Sequence, residues 1–398
     1  MIAKNLLHSS GIFTIKSFAN IGLFFIAAKL IGLEAVGQLA IGVAIFVLFE
    51  QIFDFGAKLV VLKEVPQVGV DANLINKLKL SKFVLLFLVG LPAILYLGNA
   101  SGFAIMIFAA FLSSFSILFK AIFQAKNNFQ FELRSNLMRT LCIYFGLYLC
   151  LIYADTNLVF SGFLVGAALE LYYFVWLNRA KLGFRKFHFN ITFTDILGEL
   201  SRSFPYAAHS IISVSYATFD IFIISALTSD EIVGTYQMVM KLLFGGLIVG
   251  SVLSQAIYPK ISYSRAGHDF IRTCFRWLAI YAVLGLMIGL SCFFFGQIFL
   301  QFFDINLTNS TFIILALSFI IFLRYLTIVP GIVLTVSGAQ SRRVIVLVII
   351  TILSISSNYI LVPLYGIDGA FMTLALGTLM SGSLYMIFLR QVIKQLEV

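Results

Sequence analysis

The sequence predicts an all-α integral membrane protein, with twelve transmembrane helices in two six-helix lobes around a central cavity. Three observations carry this prediction. Only 11% of the 398 residues are Asp, Glu, Lys or Arg and 61% are apolar, against roughly a quarter charged in a soluble chain. The apolar residues fall into runs that match a bilayer core, which takes about 20 residues of helix. The connections between runs alternate in charge, which gives each span a direction.

The spans follow in order. The first, 11–31, contains Lys16, and a second run follows at once, so an uncleaved helix is expected rather than a signal peptide. The second is 36–56. The third (82–98) and fifth (137–154) are short, and between and after them lie 102–124 and 157–177. The longest connection comes next, followed by 204–227 and 232–256. The ninth, 274–303, is long enough to tilt or break, and 309–331, 343–362 and 367–389 complete the set.

With the N-terminus inside, the inner connections hold Lys63, Lys77, Lys79, Lys82, Lys126, Arg134, Arg179, Lys181, Arg185, Lys186, Arg202, Lys260, Arg265, Arg272, Arg342 and Arg343. The C-terminal tail adds Arg390 and Lys394. The outer connections hold Glu34, Asp155, Asp230, Glu231, Asp304 and Asp368, and no Lys or Arg. One missed or invented helix would invert this sorting for the rest of the chain. The pattern therefore supports twelve spans, both termini in the cytoplasm and an inner-membrane location. It also accounts for most of the net charge of +10, so no nucleic-acid partner is expected. The outer connections are too short for an external catalytic domain. Cys142, Cys150, Cys274 and Cys292 lie in or beside apolar runs without metal-site spacing, and no disulfide is expected.

The connection 178–203 divides the chain into an N-terminal lobe, 1–177, and a C-terminal lobe, 204–398. Six spans per half make any internal repeat a parallel one. Glu34, Val36 and Gly37, between the first two spans, match Glu231, Val233 and Gly234 at one offset of 197 residues. Duplication is the better reading of a match placed at the same point in each half.

An ionisable residue inside a span costs about 2.5–3.5 kcal/mol on insertion scales and so points to a polar interior or pathway. Lys16 has Asn20 one turn on. Glu50, Asp54 and Lys58 form a stripe at i, i+4 and i+8. His209, Ser213, Tyr216 and Asp220 share one helix face. Lys241, Arg324 and Glu170 also fall within spans. Snorkelling accounts equally well for Glu50, Lys58, Lys120 and Arg139, and better for Lys29. A packed, hydrogen-bonded state is the blander account of His209, and mutual neutralisation that of Asp220 and Lys241. Lys16, Lys241 and Arg324 lining a cavity would favour an anionic substrate such as a phosphate or pyrophosphate. Asp220, Glu170, His209, Glu50 and Asp54 are candidates for ion coupling or charge pairing. The sequence has no Walker A motif, Gly-rich dinucleotide loop, His-Glu-x-x-His or His/Cys cluster, so no cofactor or metal is expected.

Several segments resemble a known family. Ala28-Lys-Leu-Ile-Gly-Leu-Glu-Ala-Val-Gly37 is similar to the family's "LG-x-x-x-x-G" link, and Phe53-Asp-Phe-Gly56 to its "D-x-G". Pro205, Asp220 and Val233-Gly-Thr-Tyr236 match the start of its second half, and Tyr258-Pro-Lys260 its "Y-P". Asn358-Tyr-Ile-Leu-Val-Pro-Leu-Tyr-Gly-Ile-Asp-Gly-Ala370 is similar to "N-x-x-L-I-P-x-x-G-x-x-G-A". Together, in this order, they resemble the polysaccharide-biosynthesis flippases of the multidrug/oligosaccharidyl-lipid/polysaccharide exporter superfamily. The resemblance implies a V-shaped pair of lobes working by alternating access. It implies a cationic cavity bordered by spans one, two, seven and eight, which places Lys16, Asp220 and Lys241, with Arg324 a less direct carry-over. The implied substrate is a polyprenyl-pyrophosphate-linked oligosaccharide, such as an O-antigen unit in lipopolysaccharide biosynthesis. The implied partners are membrane lipids and, further along the pathway, a polysaccharide polymerase and chain-length proteins. Relatives that flip the peptidoglycan precursor usually carry two helices beyond these twelve, which argues against that substrate.

The rival expectations are a cation-coupled drug exporter of the same superfamily, which wants an acid-dominated cavity, and a membrane glycosyltransferase, which wants an acidic pair. The topology has its own test. In a cysteine-free background, Glu231→Cys should react with a membrane-impermeant maleimide on intact cells, and Lys126→Cys only after permeabilisation.

Overall fold

The computed structural model describes residues 2–69, 71–97, 101–126, 128–181, 192–263, 269–305, 307 and 309–397. The described residues form helices α1 (Ile2–Leu30), α2 (Leu33–Asp54), α3 (Ala57–Val68), α4 (Ala72–Leu85) and α5 (Leu91–Tyr96). They continue with α6 (Ser101–Ala125), α7 (Phe129–Tyr153), α8 (Asn157–Lys181), α9 (Phe193–Leu227) and α10 (Asp230–Tyr263). The last four are α11 (Asp269–Phe302), α12 (Ser310–Val336), α13 (Gln340–Tyr365) and α14 (Ile367–Glu397). Helices are the expected outcome because lipid offers no partner to a backbone N–H or C=O, and only an internally bonded segment avoids that cost. Eleven spans among the described residues are long and apolar enough to cross a membrane. With the 29-residue α1, they are consistent with the expected twelve.

Several helices extend beyond the apolar runs that announce them. α4 begins at Ala72, ten residues before the expected third span, so Lys77, Lys79 and Lys82 belong to a helix and not to a loop. α7 begins at Phe129 and α9 at Phe193. Hydropathy falls where the hydrocarbon ends, whereas a helix continues until its backbone bonding is interrupted. α4 and α5 form one span, joined by a π-helical turn, Leu86–Gly90, with Pro92 in the first turn of α5. Pro92 has no amide proton for the α-helical ladder, and a wider turn there re-pairs the backbone.

The second expected span ends at a sharp break. Phe55 (φ 44°) and Gly56 (φ 75°) both take left-handed conformations. A side chain on Gly56 would also collide with the backbone amide of Ala207. The stripe Glu50, Asp54, Lys58 is therefore not continuous. Asp54 ends α2 and accepts the backbone N–H of Lys58, which starts the next helix.

The helices divide into two compact units: Met1–Ile12 with Gln38–Thr218, and Phe13–Gly37 with Phe219–Val398. This division is not a cut at the 178–203 connection. The larger part of α1 joins the C-terminal helices, and most of α9 joins the N-terminal ones.

In the first unit α8 packs along α6 and α7, and α3 along α6. Gly146 of α7 meets Gly162 of α8 so closely that a Cβ on either would press on the other helix's backbone. Small residues allow such approach in membranes, where hydrophobic burial does not drive helix association. In the second unit Gly246 and Gly250 of α10, and Gly285 and Gly289 of α11, give the same access to α12. The Tyr325 hydroxyl donates to the Gly246 carbonyl (2.8 Å) and accepts the Gly250 N–H (3.0 Å), which pins α12 to α10.

The tightest crossing is reciprocal. A Cβ on Gly37 would fall on the Asp230 carbonyl, and a Cβ on Gly234 on the Leu33 carbonyl. These pairs are related by the same 197-residue offset that relates the two sequence segments. The repeat is thus expressed as a quasi-symmetric contact between the start of α2 and the start of α10. Gly37→Ala and Gly234→Ala should each destabilise the protein by about 1–3 kcal/mol, the usual cost of overpacking. Gly245→Ala, where a Cβ meets nothing within 4 Å, should be neutral or slightly stabilising. Thermal unfolding of the three variants in one detergent distinguishes these outcomes.

Candidate functional site

Lys241 is the most informative cation of the second unit. It lies on α10 and is buried, at 7% exposure. Its Nζ donates to Asn20 Oδ1 at 2.9 Å and stands 3.8 Å over the Phe24 ring, with Phe244 at 6.0 Å. Among the described residues no carboxylate pairs with it. An amide oxygen and a π face stabilise an ammonium group without neutralising it. Lys16 is exposed on α1, one turn before Asn20.

Asp220 forms a separate cluster. Its carboxylate accepts hydrogen bonds from Tyr236 Oη (3.3 Å) and Asn358 Nδ2 (3.1 Å), and Arg324 on α12 lies within electrostatic reach. Asp220 and Lys241 therefore do not neutralise each other, as the sequence allowed. The reason is angular. Tyr236 and Lys241 are five residues apart on α10, about 140° around the helix, and so serve different faces. Asn358 comes from α13, and the motif that follows it closes the turn to α14. There Gly366 has φ 57°, and Gly369 sits against the Leu361 carbonyl, where no side chain fits.

In the first unit the acidic candidates are paired. Glu170 of α8, wholly buried, lies 2.6 Å from Lys120 Nζ of α6 and 3.6 Å from Arg139 Nη1 of α7. Arg139 also reaches Glu50 of α2 (3.7 Å), donates to Ser113 (3.0 Å) and stacks over Phe46 at 4.6 Å. Asp54 pairs with the fully buried Lys82 at 3.4 Å, and the same ammonium donates to the Phe53 carbonyl. Lys120 and Arg139 thus point into the unit instead of snorkelling. Lys29 remains exposed, bonded to Asp304 and to the Phe302 carbonyl. His209 is half-buried in the part of α9 that belongs to this unit.

Sequence reasoning missed the roles of Lys82, Tyr236 and Asn358, and left Lys120 and Arg139 open between snorkelling and an interior position. Lys82 carried a signal, since its removal from lipid needs a carboxylate and Asp54 is the nearby acid. Tyr236 and Asn358 carry none beyond their place in the family motifs.

The fold is that of the MOP superfamily of transporters. The lipid II flippase MurJ in an inward closed conformation superimposes with a TM-score of 0.78 at 15% identity, over 96% of this chain and 87% of that one. An inward-facing multidrug resistance MATE family transporter gives 0.73 at 12% identity, over 96% and 95%. A MOP superfamily transporter from Pyrococcus furiosus gives 0.64 at 13% identity, over 99% and 95%. A model of the polysaccharide biosynthesis protein family matches residues 2–264, and the chain belongs to that family. No curated protein matches the chain.

The Glu170 cluster makes a stability prediction. Glu170→Gln leaves Lys120 and Arg139 short of one buried charge and should cost about 3–5 kcal/mol. The double variant Lys120→Met/Glu170→Leu removes a charge of each sign and should recover most of that loss. Thermal unfolding of both variants in detergent provides the comparison.

Proposed function

We propose that the protein is a flippase that carries a polyprenyl-pyrophosphate-linked oligosaccharide, an O-antigen or similar surface-polysaccharide unit, across the cytoplasmic membrane by alternating access. The observation that carries this reading is Lys241, a buried ammonium group with no carboxylate partner among the described residues. A cation held in a membrane span costs free energy, and a phosphate arriving with the substrate would offset it. Membership of the polysaccharide biosynthesis family supports the same substrate class. In this reading Lys241 and Lys16 meet the pyrophosphate and Arg324 assists. Asp220 carries a coupling ion, His209 serves proton transfer, and Glu170, Glu50 and Asp54 pair with cations of the first unit. Both termini are cytoplasmic, and the product passes to a polymerase and chain-length proteins.

A second reading, a cation-coupled exporter of small molecules, is favoured by the Asp220 cluster and by the fold shared with the MATE transporter. The two are separable in a deletion strain. Lys241→Ala and Lys16→Ala should abolish surface polysaccharide although both proteins still insert, and Lys241→Arg should retain part of it. Normal polysaccharide in both alanine variants, with drug sensitivity in the deletion strain, would establish the exporter instead.

A further inference from the structure

The first unit contains a cleft that the transport reading does not use. It measures about 430 Å³ and lies between α4, α6 and α8, within the size range of small-ligand sites. Its chemistry is divided along its length. One end carries Lys79, Arg179, Asn76 and Asn178. The remainder is walled by Phe83, Phe111, Phe115, Leu171 and Val175.

The polar end is built, not incidental. Lys79 is 9% exposed and its Nζ stands 5.1 Å over the Phe119 ring. Asn76 and Asn178 are both 6% exposed, and Asn178 Oδ1 is a buried acceptor with no hydrogen-bond partner among the described residues. A buried acceptor left unpaired is costly, so a donor from an occupant fits it. The described lining includes two cations and no carboxylate.

The apolar end is equally defined. Phe83, Phe111 and Phe115 pack edge-on or tilted at 5.2–5.5 Å. From Phe111 to Phe119 the wall runs two turns of α6, about 12 Å. Phe83 is 45% exposed, and Phe87 and Leu88 beyond it are more so, so this wall opens on an exposed apolar face of α4. The cations sit where these helices gather their basic residues, including Lys77 and Lys126. A basic pocket between helices at that level suits an anionic lipid head group.

We propose that this cleft binds one anionic membrane phospholipid. Lys79 and Arg179 hold the phosphate, the Asn178 side chain accepts from a head-group hydroxyl, and an acyl chain lies along the phenylalanine wall. A soluble anion would leave the apolar arm empty, and a zwitterionic head group would bring a third cation towards Lys79 and Arg179. The occupant is a lipid that stays bound, and the inference is independent of which substrate the protein moves.

The test uses the full chain, purified in mild detergent and stripped of lipid. Phosphatidylglycerol, phosphatidylcholine, a polyprenyl phosphate and inorganic phosphate are titrated separately, with binding read by native mass spectrometry and by the shift in melting temperature. One phosphatidylglycerol should bind per chain, and phosphatidylcholine much more weakly. Lys79→Ala/Arg179→Ala should weaken phosphatidylglycerol about 30-fold, since each cation near the head group contributes about 1 kcal/mol. Val175→Trp, which keeps both charges and fills the apolar arm, should abolish binding, and it covers the case in which the double alanine variant does not fold. Equal binding of phosphatidylcholine would overturn the proposal, as would unchanged binding in Val175→Trp. So would displacement of phosphatidylglycerol by inorganic phosphate, which marks a head-group site alone, or by polyprenyl phosphate, which marks a substrate site.

Discussion

The close approach of α2 and α10 at Gly37 and Gly234 is the constraint on which the second unit is organised. Each glycine faces a carbonyl of the other helix with no room for a side chain. The contact also aims the chemistry. Lys241 lies seven residues beyond Gly234, two turns along nearly the same face of α10. A helix held against the start of α2 at Gly234 therefore directs Lys241 towards α1, where Asn20 and Phe24 receive it. Tyr236, two residues from Gly234, is turned away to Asp220.

The two units treat charge differently. The first neutralises it internally: Glu170 with Lys120 and Arg139, Glu50 with Arg139, and Asp54 with Lys82. Such clusters are costly to break singly and contribute little net stability when complete, which suits a rigid scaffold. The second unit leaves Lys241 supported by a neutral amide and an aromatic ring, and Asp220 by a phenol and an amide. Lys241, solvated but not neutralised, retains the capacity to bind an anion, whereas Asp220 also lies within electrostatic reach of Arg324. Among the acidic candidates, Glu50, Asp54 and Glu170 face cations of the first unit, whereas Asp220 is held mainly by neutral donors.

Much of the fold was legible because its main signal is local. Removing an apolar run from water is favourable whatever its neighbours. The Gly37 and Gly234 segments were legible for a different reason. The backbone contact tolerates no side chain, so the same residues stand at both places. The site was only partly readable. Lys241 and Asp220 stood out because ionisable groups are rare in spans, and of the accounts open for them the structure removes mutual neutralisation. Lys120 and Arg139 stayed open between the interface and the interior because distance along a helix does not reveal which way a side chain faces.

The sequence by itself determined the helical class, the approximate number of spans, the family motifs and the short list of intramembrane charges. Each of these follows from the transfer of a segment between water and lipid, or from residues adjacent in the chain. Tertiary structure alone decided that the larger part of α1 belongs with the C-terminal helices, that Lys82 meets Asp54, and that Lys241 meets Asn20 instead of Asp220. Those outcomes depend on how each helix is rotated about its axis and which neighbour its glycines admit. A helix in lipid satisfies its own backbone at any rotation, so only packing against other helices selects one.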